Sequence, residues 1–94
     1  MSHEVYVDGF PASVTEVELR HVFAQCGPVL SVQVLTTVEG LSLGIARIRM
    51  ASGEGVEQAI GLLHHATLNG RTLFVFRSYK ALANGSAILR TATE

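Results

Sequence analysis

The stretch Leu43-Gly44-Ile45-Ala46-Arg47-Ile48-Arg49-Met50 decides the fold of this chain, together with Val5-Tyr6-Val7-Asp8-Gly9-Phe10 near its start. Both stretches are predicted strands, in which successive side chains point to opposite faces. In the middle stretch the odd-numbered residues share one face, and the even-numbered residues supply the core from the other. The odd-numbered face combines two arginines with aliphatic side chains. It therefore suggests a surface that contacts either a flat anionic ligand or another protein.

The composition indicates one folded domain. The chain has 94 residues, of which 48% are hydrophobic, and a mean hydropathy of +0.34. This is too apolar for a disordered chain, yet no run approaches the roughly 18 apolar residues that a membrane span requires. The start lacks the features of a secretory signal, and the single Cys26 cannot form an internal disulfide. We therefore expect an intracellular protein, nuclear or cytoplasmic, with no membrane partner.

The charged residues follow a pattern, although the chain as a whole is slightly acidic. The net charge is −1 and the pI is about 6.4, whereas a domain that binds nucleic acid by charge alone is strongly basic. Strong non-specific binding to nucleic acid is therefore not expected. The acids of predicted helices are Glu16, Glu18, Glu54 and Glu57, and the arginines of predicted strands are Arg47, Arg49 and Arg77. We expect the charges to be sorted by face.

Two helices are predicted from capping signals and from the spacing of apolar residues. Thr15-Glu16-Val17-Glu18 matches a capping box, so the first helix is expected over 16–26. Gly27-Pro28 then supplies the stop signal. Ser52 is a suitable N-cap for the second helix, in which apolar residues recur at helical spacing.

Two further strands complete the predicted order βαββαβ. The β-branched residues of 29–36 predict a strand that forms a hairpin with the middle stretch, and Asn69-Gly70 is a tight-turn signal before a last strand over 72–77. Because crossover connections are nearly always right-handed, both helices should cover the same sheet face. The predicted fold is an α+β, ferredoxin-like sandwich: a four-stranded antiparallel sheet with two helices on one face. We call the face without helices the open face.

The open face is predicted to collect a mixed set of aromatic, charged and aliphatic side chains. Its predicted members are Tyr6, Asp8, Ile45, Arg47, Phe74 and Phe76. The domain is expected to span 1–79, with 80–94 as a C-terminal tail that is either disordered or a short helix. A tail helix folded back on the sheet would cover the two phenylalanines.

Residues 4–79 resemble an RNA recognition motif. The run 5–10 is similar to the hexamer of that family, with Tyr6 in the position of its aromatic residue. Further agreement comes from Val14-Thr15-Glu16 with Leu19 and Phe23, from Gly27 with Val29, and from Leu68-Asn69-Gly70-Arg71. In the octamer 43–50, only Gly44, Ala46 and Ile48 match the family pattern.

The resemblance implies binding of single-stranded RNA on the open face, where aromatic side chains of the family stack on bases. Ile45 and Arg47 stand where the octamer has its two stacking aromatics, and losing both stacked bases costs about 2–6 kcal/mol of binding energy. Arg47 can compensate by stacking its planar guanidinium, and Phe74 and Phe76 by adding two rings. The candidate RNA-binding residues are Tyr6, Asp8, Ile45, Arg47, Arg49, Phe74, Phe76 and Arg77.

Several residues also have plainer interpretations. Tyr6 could pack across strands, and the arginines could simply be solvated. Asp8 could pair with an arginine or accept a hydrogen bond from an exocyclic amine of a base. Cys26 is interpreted as a small core residue. His64-His65 is interpreted as a solvated helix end, because adjacent helical residues cannot both face one metal ion.

Besides RNA binding, the sequence raises two other classes of function, a protein-binding module and an enzyme. The rival hypothesis is a fold of this type used for protein binding or self-association as a homodimer, motivated by the acidic pI and the missing octamer aromatics. An enzyme is not expected, because Gly9-Phe10-Pro11-Ala12 lacks the arginine that acylphosphatase-type domains carry in this loop. Nor does any residue pair resemble a nucleophile with its base. No metal and no cofactor are predicted.

Overall fold

The chain folds with its strands and helices in the predicted order. A computed structural model describes residues 3–77; the predicted tail 80–94 and the end of the predicted domain at residue 79 lie outside the described residues. The elements are β1 Glu4–Asp8, α1 Glu16–Ala24, β2 Val29–Thr36, β3 Ser42–Met50, α2 Gly53–Leu63, β4 Thr67–Leu68, β5 Arg71–Thr72 and β6 Phe74–Phe76.

The main sheet has four antiparallel strands in the order β2-β3-β1-β6. Both helices pack on one face of it, where Leu19 and Phe23 of α1 and Val56 of α2 join the buried core. The sheet contributes Val5, Val7, Ala46, Ile48 and Val75 to the same core. The predicted α+β sandwich, with a four-stranded antiparallel sheet and α1 and α2 on one face, is therefore confirmed.

Both helices begin where their capping signals predict. Thr15 and Glu18 form the capping box: the Glu18 N–H donates to Thr15 Oγ1 at 3.2 Å, and the Thr15 N–H donates to Glu18 Oε1 at 3.3 Å. Helix α2 is capped by Ser52, whose Oγ accepts from the Gly55 N–H at 3.2 Å. Helix α1 ends at Ala24 rather than at residue 26, so Cys26 follows the helix. Cys26 still packs partly buried against the core, where burial raises the pKa of its thiol.

The predicted last strand over 72–77 is divided in the structure. Arg71–Thr72 pairs with Thr67–Leu68 in a separate hairpin, and only Phe74–Phe76 joins the main sheet. The division lies at buried Leu73, whose N–H donates to the Ala66 carbonyl at 2.7 Å and whose carbonyl accepts from the His65 N–H at 2.7 Å. These two bonds hold Leu73 against His65 and Ala66, and the chain pairs with β1 only from Phe74 onward.

Side chains form hydrogen bonds with backbone groups of both outer strands of the sheet. On β2, the Val34 N–H donates to Glu16 Oε2 at 3.1 Å, and Arg20 Nη1 donates to the Val29 carbonyl at 3.0 Å. On β6, the Val75 N–H donates to His64 Nδ1 at 2.9 Å. Unpaired edge groups are the usual template for adding another strand, so these three bonds protect the edges.

Candidate functional site

The register of the strands arranges the open face in rows that run across the sheet. In the first, the tyrosine row, Gln33 lies opposite Arg47, Arg47 opposite Tyr6, and Tyr6 opposite Phe76. In the second, the aspartate row, Asp8 lies between Ile45 and Phe74. Residues directly opposite each other project from the same face and touch. The predicted face assignment of Ile45, Arg47 and Arg49 is therefore correct.

Two polar side chains hold the Arg47 guanidinium in the tyrosine row. Arg47 Nη2 donates to Gln33 Oε1 at 2.7 Å, and Arg47 Nε lies 3.9 Å from Glu4 Oε2. The Arg47 side chain nevertheless stays 47% exposed, so the ion pair contributes little to stability. The bonds restrain where the planar group lies. The sequence allowed Asp8 to form an ion pair with Arg47, but in the structure Arg47 pairs with Glu4 instead.

Three aromatic side chains lie on the open face. Tyr6 and Phe76 are half-buried neighbours in the tyrosine row, and Phe74 in the aspartate row is 38% exposed. The structure thus brings Tyr6 together with both phenylalanines, as predicted from the alternation along β1 and β6. Flat side chains in adjacent positions are suited to stacking on unpaired bases.

Ile45 lies on the predicted face but is not accessible there. Its side chain is only 1% exposed, although it does not belong to the core cluster on the helix side. The prediction that Ile45 offers open aliphatic surface is therefore wrong. Alternation along a strand assigns a side chain to a face, but it does not determine how far neighbouring atoms cover that side chain.

The remaining arginines differ in position. Arg49 is exposed on the open face, in register with Glu4 and Ser31. Arg77, by contrast, follows β6, two residues after the core residue Val75, and so shares the face of Val75. Its Nη2 donates to Glu57 on α2. The structure corrects the expected placement of Arg77, which lies toward the helices rather than with Phe74 and Phe76.

An imidazole pair next to β6 was not foreseen from the sequence. His64 is half-buried, with its ring centroid 6.1 Å from that of Phe74 and 5.9 Å from that of Phe76, in edge-on geometry. The centroid of the His65 ring lies 4.0 Å from that of His64, with the two planes tilted by 35°, and 5.6 Å from that of Phe74. His64 is therefore a structural partner of β6 rather than a solvated helix end. Only the tertiary fold brings these rings together.

The protonation state of His64 is linked to the pairing of β6. Nδ1 can accept from Val75 only when it carries no proton, and burial together with the nearby charge of His65 lowers the pKa of His64. The unfolded chain binds this proton near the ordinary value of 6.5, so below that pH it carries more protons than the folded chain. The free energy of unfolding therefore falls as the pH is lowered below 6.5.

We expect His64→Asn to remove most of this pH dependence, because an asparagine side chain offers a carbonyl oxygen near the position of Nδ1 and does not titrate. The measurement is the melting temperature between about pH 7.5 and pH 5. His21→Asn is the matched control, since His21 is exposed in the last turn of α1. An unaltered pH profile in the His64 variant would contradict this assignment.

The charges are only partly sorted by face. Glu16 and Glu18 lie in the first turn of α1 and Glu54 in that of α2, whereas Arg47 and Arg49 project from the sheet. Glu4 and Asp8 share the open face with these arginines, so the charge of that face does not by itself favour an anionic ligand. Within residues 3–77, no group of three or more His, Cys, Asp or Glu side chains could hold a metal ion. No helix in that range is long and apolar enough to span a membrane.

Comparison with known proteins gives one consistent answer. Residues 5–73 match the family model of the RNA recognition motif. The structure is similar to the solved RRM of RNA15, with a TM-score of 0.78 and 26% sequence identity over 89% of this chain and 98% of that one. It is also similar to the Sxl-lethal protein in a complex with RNA, with a TM-score of 0.78 and 24% identity over 83% of this chain and 47% of that one.

A second structure of Sex-lethal, containing its RNA recognition domains 1 and 2 from Drosophila melanogaster, has a TM-score of 0.75. It is 23% identical, with 87% of this chain and 54% of that chain covered. The chain thus spans about half the length of each of these two proteins. At such identities, they show a shared fold.

Proposed function

Because the chain belongs to the RNA recognition motif family, we propose that it binds single-stranded RNA on the open face. One observation carries the proposal: Tyr6 lies in register between Arg47 and Phe76, so that three flat side chains adjoin across three strands. Such an array accepts stacked bases without requiring a particular sequence. The proposed contact residues are Tyr6, Asp8, Arg47, Arg49, Phe74 and Phe76.

Because the octamer lacks aromatic side chains at two positions, bases would stack at a different place on the sheet. Arg47 replaces one ring with a guanidinium plane that is already restrained by Gln33 and Glu4, and guanidinium planes stack on bases as rings do. Ile45 replaces the other ring and is buried. The rings of Phe74 and Phe76 then supply stacking surface on β6, so the platform is displaced toward that edge of the sheet.

Phosphate contacts complete the proposed interface. Arg49 is exposed beside the tyrosine row and makes no side-chain hydrogen bond or ion pair within the described part of the chain. Arg77 would first have to leave Glu57, which costs at most about 1 kcal/mol for an exposed pair. Arginine pairs readily with phosphate, which makes Arg49 the first candidate for the backbone of the RNA.

The direct test is a titration of the isotope-labelled chain with a pool of short single-stranded RNAs at low salt. We expect amide NMR signals of β1, β3 and β6 to shift, with signals of the outer faces of α1 and α2 unaffected. With phosphate contacts from Arg47 and Arg49, log Kd should change with log salt concentration by a slope of about 1.4 in magnitude.

A duplex of the same sequence serves as the control, because pairing hides the base faces that the platform needs. Equal shifts with the duplex would indicate binding by charge alone. An absence of any shift with single-stranded RNA would sink the proposal. Line broadening that grows with protein concentration would instead favour self-association.

A further inference from the structure

We infer that Asp8 gives the open face a preference for guanine. This inference rests on the proposed binding of single-stranded RNA at the same face. Asp8 ends β1 in the middle of the aspartate row, with Ile45 on one side and Phe74 on the other. It is the single acid in the tyrosine and aspartate rows, and Glu4, the other acid on this face, is paired with Arg47.

The carboxylate of Asp8 is available to a ligand. Asp8 is half-buried, and within residues 3–77 its side chain makes no hydrogen bond and no ion pair. Arg47, the cation of the adjoining row, is hydrogen-bonded to Gln33 and ion-paired with Glu4. A partly desolvated acceptor without a partner gains from a ligand that brings donors.

The chemistry of the bases then selects among ligands. A carboxylate is an acceptor with two oxygens, and it repels phosphate. The Watson–Crick edge of guanine presents two adjacent donors, N1–H and the N2 amine, which match both oxygens. Adenine and cytosine place an acceptor beside their amine, and uracil flanks its one N–H with two carbonyls. Only guanine forms the paired, charge-assisted arrangement, and this edge is exposed only in unpaired RNA.

The neighbours of Asp8 are arranged to hold such a base. Phe74 lies directly opposite Asp8 and is 38% exposed, so a base stacked on its ring has an edge directed toward β1. On the other side, buried Ile45 is apolar and offers no competing hydrogen bond. Low polarity around a hydrogen bond strengthens it. Phe74 would thus support the base, and Asp8 would read its edge.

The test compares four heptamers, UUUGUUU, UUUAUUU, UUUUUUU and UUUIUUU, in which inosine keeps N1–H but lacks the N2 amine. We expect the guanine heptamer to bind about 5- to 150-fold tighter than the adenine heptamer, with inosine between them. Asp8→Asn should lose this preference, because an amide offers one acceptor and directs a donor at the second position. The same variant should bind the all-uracil heptamer at least as tightly as the parent, since one negative charge is gone.

Glu39→Gln is the matched control, because Glu39 is exposed in the turn between β2 and β3, and its change removes the same charge away from the rows. It should keep the guanine preference. If the parent binds RNA without preferring guanine, or if Asp8→Asn keeps the preference, the inference is wrong while RNA binding stands. If the parent binds none of the heptamers, the proposed function fails as well.

Discussion

Replacing Tyr6 and Arg47 together with alanine should weaken binding of single-stranded RNA by about 30- to 10⁴-fold. The two side chains are direct neighbours in the tyrosine row, on adjacent central strands. Each is proposed to stack one base, and each lost stack removes about 1–3 kcal/mol. The affinity is best measured by fluorescence anisotropy of a labelled oligonucleotide at one fixed, low salt concentration.

The fold should survive this double change. Neither residue belongs to the core cluster, and the Arg47 side chain is 47% exposed. Because the two residues touch, the single variants should not add up to the double variant, and a double-mutant cycle would measure their coupling. The matched control is His21→Ala with Arg71→Ala, which removes one ring and one guanidinium at exposed positions on α1 and in the β4–β5 hairpin.

Binding by the control pair should equal that of the parent, and all three proteins should melt alike in circular dichroism. Retained affinity in the Tyr6 and Arg47 double variant would place the RNA elsewhere on the domain. An equal loss of affinity in the control pair would show that the effect comes from the removed positive charge alone. Either result would contradict a stacking role for the tyrosine row.

Gly44→Ala should lower the free energy of unfolding by about 2–4 kcal/mol. Gly44 lies in β3 with φ at +71°, a conformation that side chains rarely adopt. A Cβ there would lie 2.7 Å from the backbone carbonyl oxygen of Phe10. Neither atom can withdraw easily, since Phe10 is buried in the core and the Gly44 carbonyl accepts from the Gly9 N–H at 3.0 Å.

Gly61→Ala gives the matched comparison, because it adds the same methyl group in the last turn of α2, with no atom outside the local helix backbone within 4 Å. It should stabilise the domain by about 0.5–1 kcal/mol through the backbone entropy of the unfolded chain. Chemical denaturation of the two variants and the parent measures both effects. A Gly44 variant that unfolds at the same denaturant concentration as the parent would refute the steric argument.

Local signals in the sequence predicted the parts of the structure that depend on neighbours along the chain. The capping box of Thr15 and Glu18 fixed the start of α1, and alternation fixed which β3 residues face the core. Such features require only the spacing of residues within one element. The motif matches around Tyr6 and Gly44 then gave the family.

The rest depends on which residues become neighbours across elements. Gln33 could not be named as the partner of Arg47, because the register of β2 against β3 shifts at two irregularities between Val29 and Thr36. Similarly, the bond from Val75 to His64 joins residues in separate segments, near the point where Leu73 divides the predicted last strand. Spacing along one chain carries no information on such contacts.

The bonded outer strands limit the ways in which a second molecule can approach. A polypeptide that sought to lengthen the sheet would have to displace the Glu16 carboxylate and the Arg20 guanidinium on one side, or the His64 imidazole on the other. Growth into continuous β-structure therefore begins with a loss of existing hydrogen bonds. A nucleic acid strand bound on the open face as proposed would meet no such obstacle, because it would lie across the rows rather than beside the outer strands.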